Sequence, residues 1–184
     1  MKNKFYDLLK STKREGIEDL IAYMQKHHFE EAPCSTKYHL AEPGGLLKHS
    51  LNVYDLMVNL NESLKANVPR DSIILCSLLH DLGKMGDYGK TYYIDNVLKS
   101  GEISKVEPYK TNKDLLYLPH EVRSTLICER LVKLTEEEIF AIYYHNGKYT
   151  HIGYDLKETP LMMLLHFADL WASRVTEIGE SNGI

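Results

Sequence analysis

The chain has 184 residues, 43% hydrophobic and 26% charged, the balance of a soluble globular protein with a sizeable core. Its 22 basic against 26 acidic residues leave a formal net charge of −4. That excludes a general attraction for nucleic acid but suits a small anionic substrate; a long polyanion would need a local basic patch. Cys34, Cys76 and Cys128 share no C-x-x-C spacing and read as reduced thiols, Cys76 and Cys128 packed in helices. With no apolar leader at the N-terminus, they point to a cytoplasmic protein.

In chain order, residues near 4–13 and 16–28 read as two short amphipathic helices, with Ile17, Leu20, Ile21 and Met24 on one face of the second. This pair could serve dimerisation, making a homo-oligomer, or could complete the core. A loop from Glu30 to Gly45 carries Pro33, Pro43 and the Gly44–Gly45 pair. A long helix follows from about Leu46 to Lys65, with Leu47, Leu51, Tyr54 and Val58 as its apolar stripe. Pro69 fits just inside the next helix, which carries Ile73, Ile74, Leu78 and Leu79 inward and loosens at Gly83.

Residues 86–118 break the helical period. They are polar and tyrosine-rich, with β-branched residues around a Ser100–Gly101 turn, the pattern of a small hairpin. Pro119 fits a first helical position ahead of Val122, Leu126 and Leu131. Thr135 with Glu138 is a capping-box signature, and Gly147 marks a stop after His145. Thr159–Pro160 opens a last helix to about Ile178. Its apolar stretch, Leu161 to Trp171, is too short for a bilayer and carries His166 and Asp169. These readings give an all-α fold of about six or seven helices with one irregular excursion.

Along this frame run His49, the pair His80–Asp81, Lys84, His120, His145 and Asp169. Imidazoles and carboxylates suit a divalent metal that binds phosphate oxygens while holding a reactive water. Asp81 follows Ile-Ile-Leu-Cys-Ser-Leu-Leu-His, and Asp169 interrupts another apolar run. Either acid, buried ionised without a partner, would cost several kcal/mol, and a cation is the partner that best explains them. Taken singly, each residue has a bland reading as a core histidine or a capping acid. The ordered set makes a metal-dependent phosphohydrolase the leading reading. His27, His28, His151 and His166 lie outside it, as solvated or supporting residues. His166, three residues before Asp169, is placed to orient that carboxylate.

The set resembles the HD superfamily of metal-dependent phosphohydrolases, over roughly residues 30–178. The resemblance is carried by Gly44-Gly-Leu-Leu-Lys-His-Ser-Leu51 and Leu79-His-Asp-Leu-Gly-Lys84. Ala32-Pro-Cys-Ser-Thr-Lys-Tyr-His39, Pro119-His-Glu121, Tyr144-His-Asn-Gly147 and Leu165-His-Phe-Ala-Asp169 are similar to small bacterial and phage HD hydrolases and to the HD domain of 3′→5′ exoribonucleases. It implies a single HD domain over 1–184, with an N-terminal helix pair (1–29) and an HD core (30–178). It also implies that His49, His80, Asp81 and Asp169 hold one metal, and that Asp81 bridges to a second completed by His120 and His145. Relatives often have Gly where Pro119 precedes His120, a departure that bears on the second ion. Lys84 would add positive charge at the phosphate, and Ser35 and His39 would line the substrate pocket, while Lys37 between them reads rather as an ordinary surface-loop residue.

Such ligands suit Mn, Fe, Co or Ni, with Mg compatible but less favoured. The expected partner is a small phosphorylated substrate, a nucleotide or short oligonucleotide, attacked by a metal-activated water. Tyr88, Tyr92, Tyr93, Tyr109 and Tyr117 in the excursion could stack on a base or could anchor the excursion to the helices. Two other classes compete: a non-catalytic nucleotide-binding module that kept the fold, and a di-iron oxygenase. Loss of ligands would mark the first, and dioxygen consumption by an iron-loaded sample would mark the second.

Overall fold

The computed structural model describes residues 1–147 and 157–178; His151 lies outside the described residues. Seven α-helices among them form the body: α1 (Lys2–Ser11), α2 (Ile17–Lys26), α3 (Gly45–Leu64), α4 (Arg70–Leu79), α5 (His120–Leu131), α6 (Glu136–Tyr143) and α7 (Pro160–Trp171). The fold is all-α. No described helix is long and apolar enough to cross a membrane.

The core forms around α4. Every residue from Ser72 to Leu79 is buried, so this helix is covered on all sides by α1, α3, α6 and α7. An apolar helix enclosed in this way ends with its last side chains inside the protein, and His80 and Asp81 are those side chains. Phe5 and Leu9 of α1 and Leu20 and Met24 of α2 join the same cluster, so the N-terminal pair completes the core.

The buried line of α3 differs from the expected stripe. Leu46, Ser50, Val53 and Met57 face inward beside Leu47 and Leu51, whereas Tyr54 is half-buried and Val58 exposed. This face includes His49, so the helix is rotated to present an imidazole as well as leucines. In α5 the buried residues are Arg123, Ser124, Ile127 and Cys128, and Leu126 is exposed instead of inward. The reason is local: a 3-10 turn at Leu82–Met85 packs on α5, and the Gly83 N–H donates to Ser124 Oγ at 2.8 Å. A small hydroxyl residue there lets the turn approach. Pro69 and Pro119 each sit one position before their helix as the N-cap, with the carbonyl accepting the first helical bond.

The capping box at Thr135 and Glu138 is formed in both directions. Arg14 clamps the same Glu138 through bonds of 2.8 and 2.9 Å, which ties the start of α2 to α6. In the excursion, β1 (Tyr93–Asp95) pairs antiparallel with β2 (Tyr109–Thr111). A Val97–Ile103 bridge closes around the Ser100–Gly101 turn. Asp87 anchors its base, accepting from Arg130 at 3.1 and 3.3 Å and from the Tyr23 hydroxyl. After α7 the chain continues as a π-helical segment, Ala172–Thr176, and the Glu177 N–H bonds back to Ala172 O, five residues earlier.

Candidate metal centre

Four histidines from four places in the chain turn their Nε2 atoms toward two aspartates. His49 comes from the second turn of α3 and His80–Asp81 from the end of α4. His120 opens α5, His145 follows the end of α6, and Asp169 lies in the last turn of α7. Each Nδ1 lies against an oxygen. His80 Nδ1–H donates to Ser77 O at 2.9 Å, and His145 Nδ1–H to Ile142 O at 2.7 Å. His49 Nδ1 is 3.0 Å from Glu177 Oε1, and His120 Nδ1 is 3.3 Å from Glu121 Oε2. A ring donating from Nδ1 keeps its Nε2 lone pair free for a metal, the usual arrangement of histidine ligands.

The carboxylate of Asp81 divides this set in two. Its Oδ2 faces His49 Nε2 at 3.6 Å and His80 Nε2 at 3.5 Å; its Oδ1 faces His120 Nε2 at 3.2 Å and His145 Nε2 at 3.6 Å. Asp169 Oδ1 completes the first side, 3.1 Å from His49 Nε2 and 3.9 Å from His80 Nε2. Lys84 Nζ reaches back to Asp81 Oδ2 at 2.6 Å, as the intervening Gly83 allows. His49, His80 and His145 have almost no exposed surface, while His120, Asp169 and Lys84 retain some. Those three mark the side on which the cluster opens to solvent.

Two observations test whether these residues fit a metal ion. Asp81 Oδ1 is buried with no hydrogen-bond partner among the described residues, an orphaned acceptor that costs stability as it stands. His49 Nε2 and His80 Nε2 lie 3.3 Å apart, two nitrogens facing each other across a space a cation would neutralise. His49, His80 and Asp81 form one group with ligand atoms within 4.8 Å of one another, and Asp81, His120 and His145 form another. The residues fit.

Charges in the centre are strongly perturbed. Burial would raise the Asp81 pKa, but the Lys84 ammonium and the surrounding imidazoles hold it well below the usual carboxylate range. Burial likewise opposes ionisation of Asp169, and hydrogen bonding to His49 with the nearby imidazoles overrides it. Burial drives the His145 imidazole down to about 4, helped by His80, and it lowers His80 too. Both rings are therefore neutral near pH 7, as ligands must be.

Supporting residues divide less evenly. Ser35 is buried with its hydroxyl engaged inside its own loop, donating to His39 O and accepting from Tyr38 N–H. Lys37 lies 3.9 Å from Glu107. His39 comes to the centre, but its Nδ1 lies 2.6 Å from Glu177 Oε2. His166 does not orient Asp169: its Nδ1–H donates to His145 O at 2.8 Å, because its ring packs over Gly147, where a Cβ would lie 2.7 Å from it. It supports the second group of ligands instead.

Sequence reasoning missed Glu177, which is fully buried beside His49. At about 100° per residue, eight residues beyond Asp169 overshoot two α-turns by about 80°. The wider turns of the π segment take up that excess, and nothing in the residue pattern announces them.

An all-helical body that gathers histidines and aspartates at the end of a buried central helix defines a class of metal-site proteins. A family model for the HD domain matches residues 46–170, and the chain belongs to that family, whose members are generally metal-dependent hydrolases. Searches of curated proteins and of solved structures returned no match.

Proposed function

We propose that the protein is a phosphoric ester hydrolase acting on a nucleotide or short oligonucleotide, with a water activated at two divalent ions. The observation that carries this reading is the divided coordination sphere of Asp81, each oxygen facing a separate pair of imidazole Nε2 atoms. In it, His49, His80, Asp81 and Asp169 hold one ion, and Asp81, His120 and His145 hold the other. Bound there, divalent ions supply Lewis-acid polarisation of phosphate oxygens and a hydroxide nucleophile near neutral pH.

The chain's own groups do the rest. The buried imidazoles and carboxylates exclude bulk water from one side of the reacting phosphate, so charges act there with less screening. Lys84, its ammonium held by Asp81, adds a fixed positive charge on the open side. A neighbouring cleft of about 270 Å³ is lined by Lys84, Tyr92, Tyr93 and Tyr109. It is smaller than the about 300 Å³ at which drug-sized sites begin, which suits one base better than a strand. The partly exposed rings of Tyr93 and Tyr109 offer stacking surfaces, and the net charge of −4 favours a small substrate over a long polyanion.

The test is a Mn2+-loaded panel of mononucleotides, dinucleotides, cyclic dinucleotides and short RNA and DNA, read by product chromatography. Hydrolysis of a small member that is lost in Asp81→Ala, together with most of the bound metal, is expected. Turnover of none, or full turnover by metal-depleted Asp81→Ala, would contradict the proposal.

A further inference from the structure

His39 and Glu177 lie on either side of the 46–170 segment matched by the family model, and both bear on His49. Glu177 Oε1 lies 3.0 Å from His49 Nδ1 and accepts from Asn52 Nδ2 at 3.0 Å; Oε2 lies 2.6 Å from His39 Nδ1 and 3.1 Å from His49 Nδ1. A buried carboxylate without donors would take a proton instead of a charge. Here His39, His49 and Asn52 surround the two oxygens with polar nitrogens at 2.6 to 3.1 Å. His39 is itself largely buried, and its Nδ1 is committed to that carboxylate at 2.6 Å. His39 stands with Cys34 and His49 in a group of ligand-type atoms, but its close contact is with the Glu177 carboxylate. It is a brace.

Resting on the metal-centre reading above, we infer that Glu177, braced by His39 and Asn52, is the positioning residue for His49. The carboxylate accepts the Nδ1–H hydrogen bond, fixes the ring plane and leaves Nε2 aimed at Asp169 and Asp81. Asn52 lies three residues after His49 on the same helix, so its amide approaches Glu177 from the same face. The π segment brings Glu177 into that position. A consequence follows from thermodynamic reciprocity: if Glu177 favours a metal at His49 Nε2, that metal must favour the docked form of Ala172–Glu177. A carboxylate that merely pinned the helix end would show no such coupling.

Two readouts with Mn2+ as the probe test this on the full chain. Calorimetric titration should show the tighter Mn2+ site weakened about 10- to 100-fold in Glu177→Gln, with partial recovery in Glu177→Asp. In the parent, Mn2+ should slow amide hydrogen exchange across residues 172–177. An affinity in Glu177→Gln equal to the parent's would overturn the inference, as would Mn2+ binding that leaves exchange at 172–177 unchanged. If Glu177→Gln does not fold, Asn52→Ala, which removes one donor to Glu177, should still weaken Mn2+ about threefold or more, and parental affinity there overturns the inference equally. A parent that binds no Mn2+ at all overturns the metal-centre reading as well.

Discussion

Gly83 stands between Asp81 and Lys84 with its Cα against α5. A Cβ there would lie 2.3 Å from the His120 carbonyl oxygen, 2.9 Å from Arg123 Cβ and 2.9 Å from the Ser124 nitrogen. Two of these atoms are backbone, so no flexible side chain can absorb the intrusion. Ordinary carbon–oxygen contacts begin near about 3.3 Å, so Gly83→Ala must push the first turn of α5 back by about 1 Å. His120 opens that turn, and its Nε2 is only 3.2 Å from Asp81 Oδ1. The displacement loosens the His120 side of Asp81 and leaves the 3.1 Å His49–Asp169 approach alone. Overpacking of this kind costs about 1–3 kcal/mol. At about 2–4 °C per kcal/mol for a chain of this size, Tm should fall by about 2–12 °C. Scanning calorimetry reads the first effect and Mn2+ titration the second: a lower Tm, with one of two binding equivalents weakened. A Gly83→Ala protein that melts like the parent and binds both equivalents unchanged would refute the reasoning.

Three further outcomes are expected. Arg14→Ala leaves the buried Glu138 carboxylate without its two-pronged partner and should cost about 3 kcal/mol by urea denaturation. Burial alone would raise the Glu138 pKa, but its bonds to Arg14, Thr135 and Ser72 depress it. A depressed folded-state value means its contribution is full above the unfolded pKa of about 4.3 and is lost as pH falls through the folded one. The stability gap between the parent and Glu138→Gln should therefore narrow in acid below that range, and a gap that widens there would contradict it. Lys84→Met should lower phosphate ester turnover about 100-fold. Its Mn2+ affinity should hold or rise, since Asp81 Oδ2 loses a competitor at 2.6 Å; parallel loss of metal and activity would give Lys84 a different role.

The elements that carry the site were legible because each announces itself locally. The run Ile73-Ile-Leu-Cys-Ser-Leu-Leu79 ahead of His80–Asp81, free of charged residues, is what a fully enclosed helix requires, and α4 is enclosed. The Thr135–Glu138 spacing encodes a capping box through two reciprocal bonds, and both form. The Ser100–Gly101 turn marks the hairpin loop, which the Val97–Ile103 bridge closes. Tyr92 is buried as an anchor, whereas Tyr88 and Tyr117 stay exposed.

What failed was rotation about a helix axis. Val58 and Leu126 fit an apolar period yet point outward, because α3 turns His49 inward and α5 turns Ser124 toward Gly83. Apolar periodicity does not register a polar side chain held in the interior by a tertiary partner. Glu177 escaped for a related reason: its phase depends on a change of helix type that no residue preference encodes. His166 was misassigned because the three-residue spacing to Asp169 suggested contact, while the close approach of Gly147 drew the ring to the carbonyl of His145.

The central claim is that Asp81 stands between two bound cations. Anomalous scattering from Mn2+-soaked crystals tests it most directly. Two peaks about 3.5–4 Å apart are predicted, one among His49, His80 and Asp169 and one beside His120 and His145, with an Asp81 oxygen on each. Crystals that take up Mn2+ elsewhere, with no anomalous peak within bonding distance of Asp81, would contradict it.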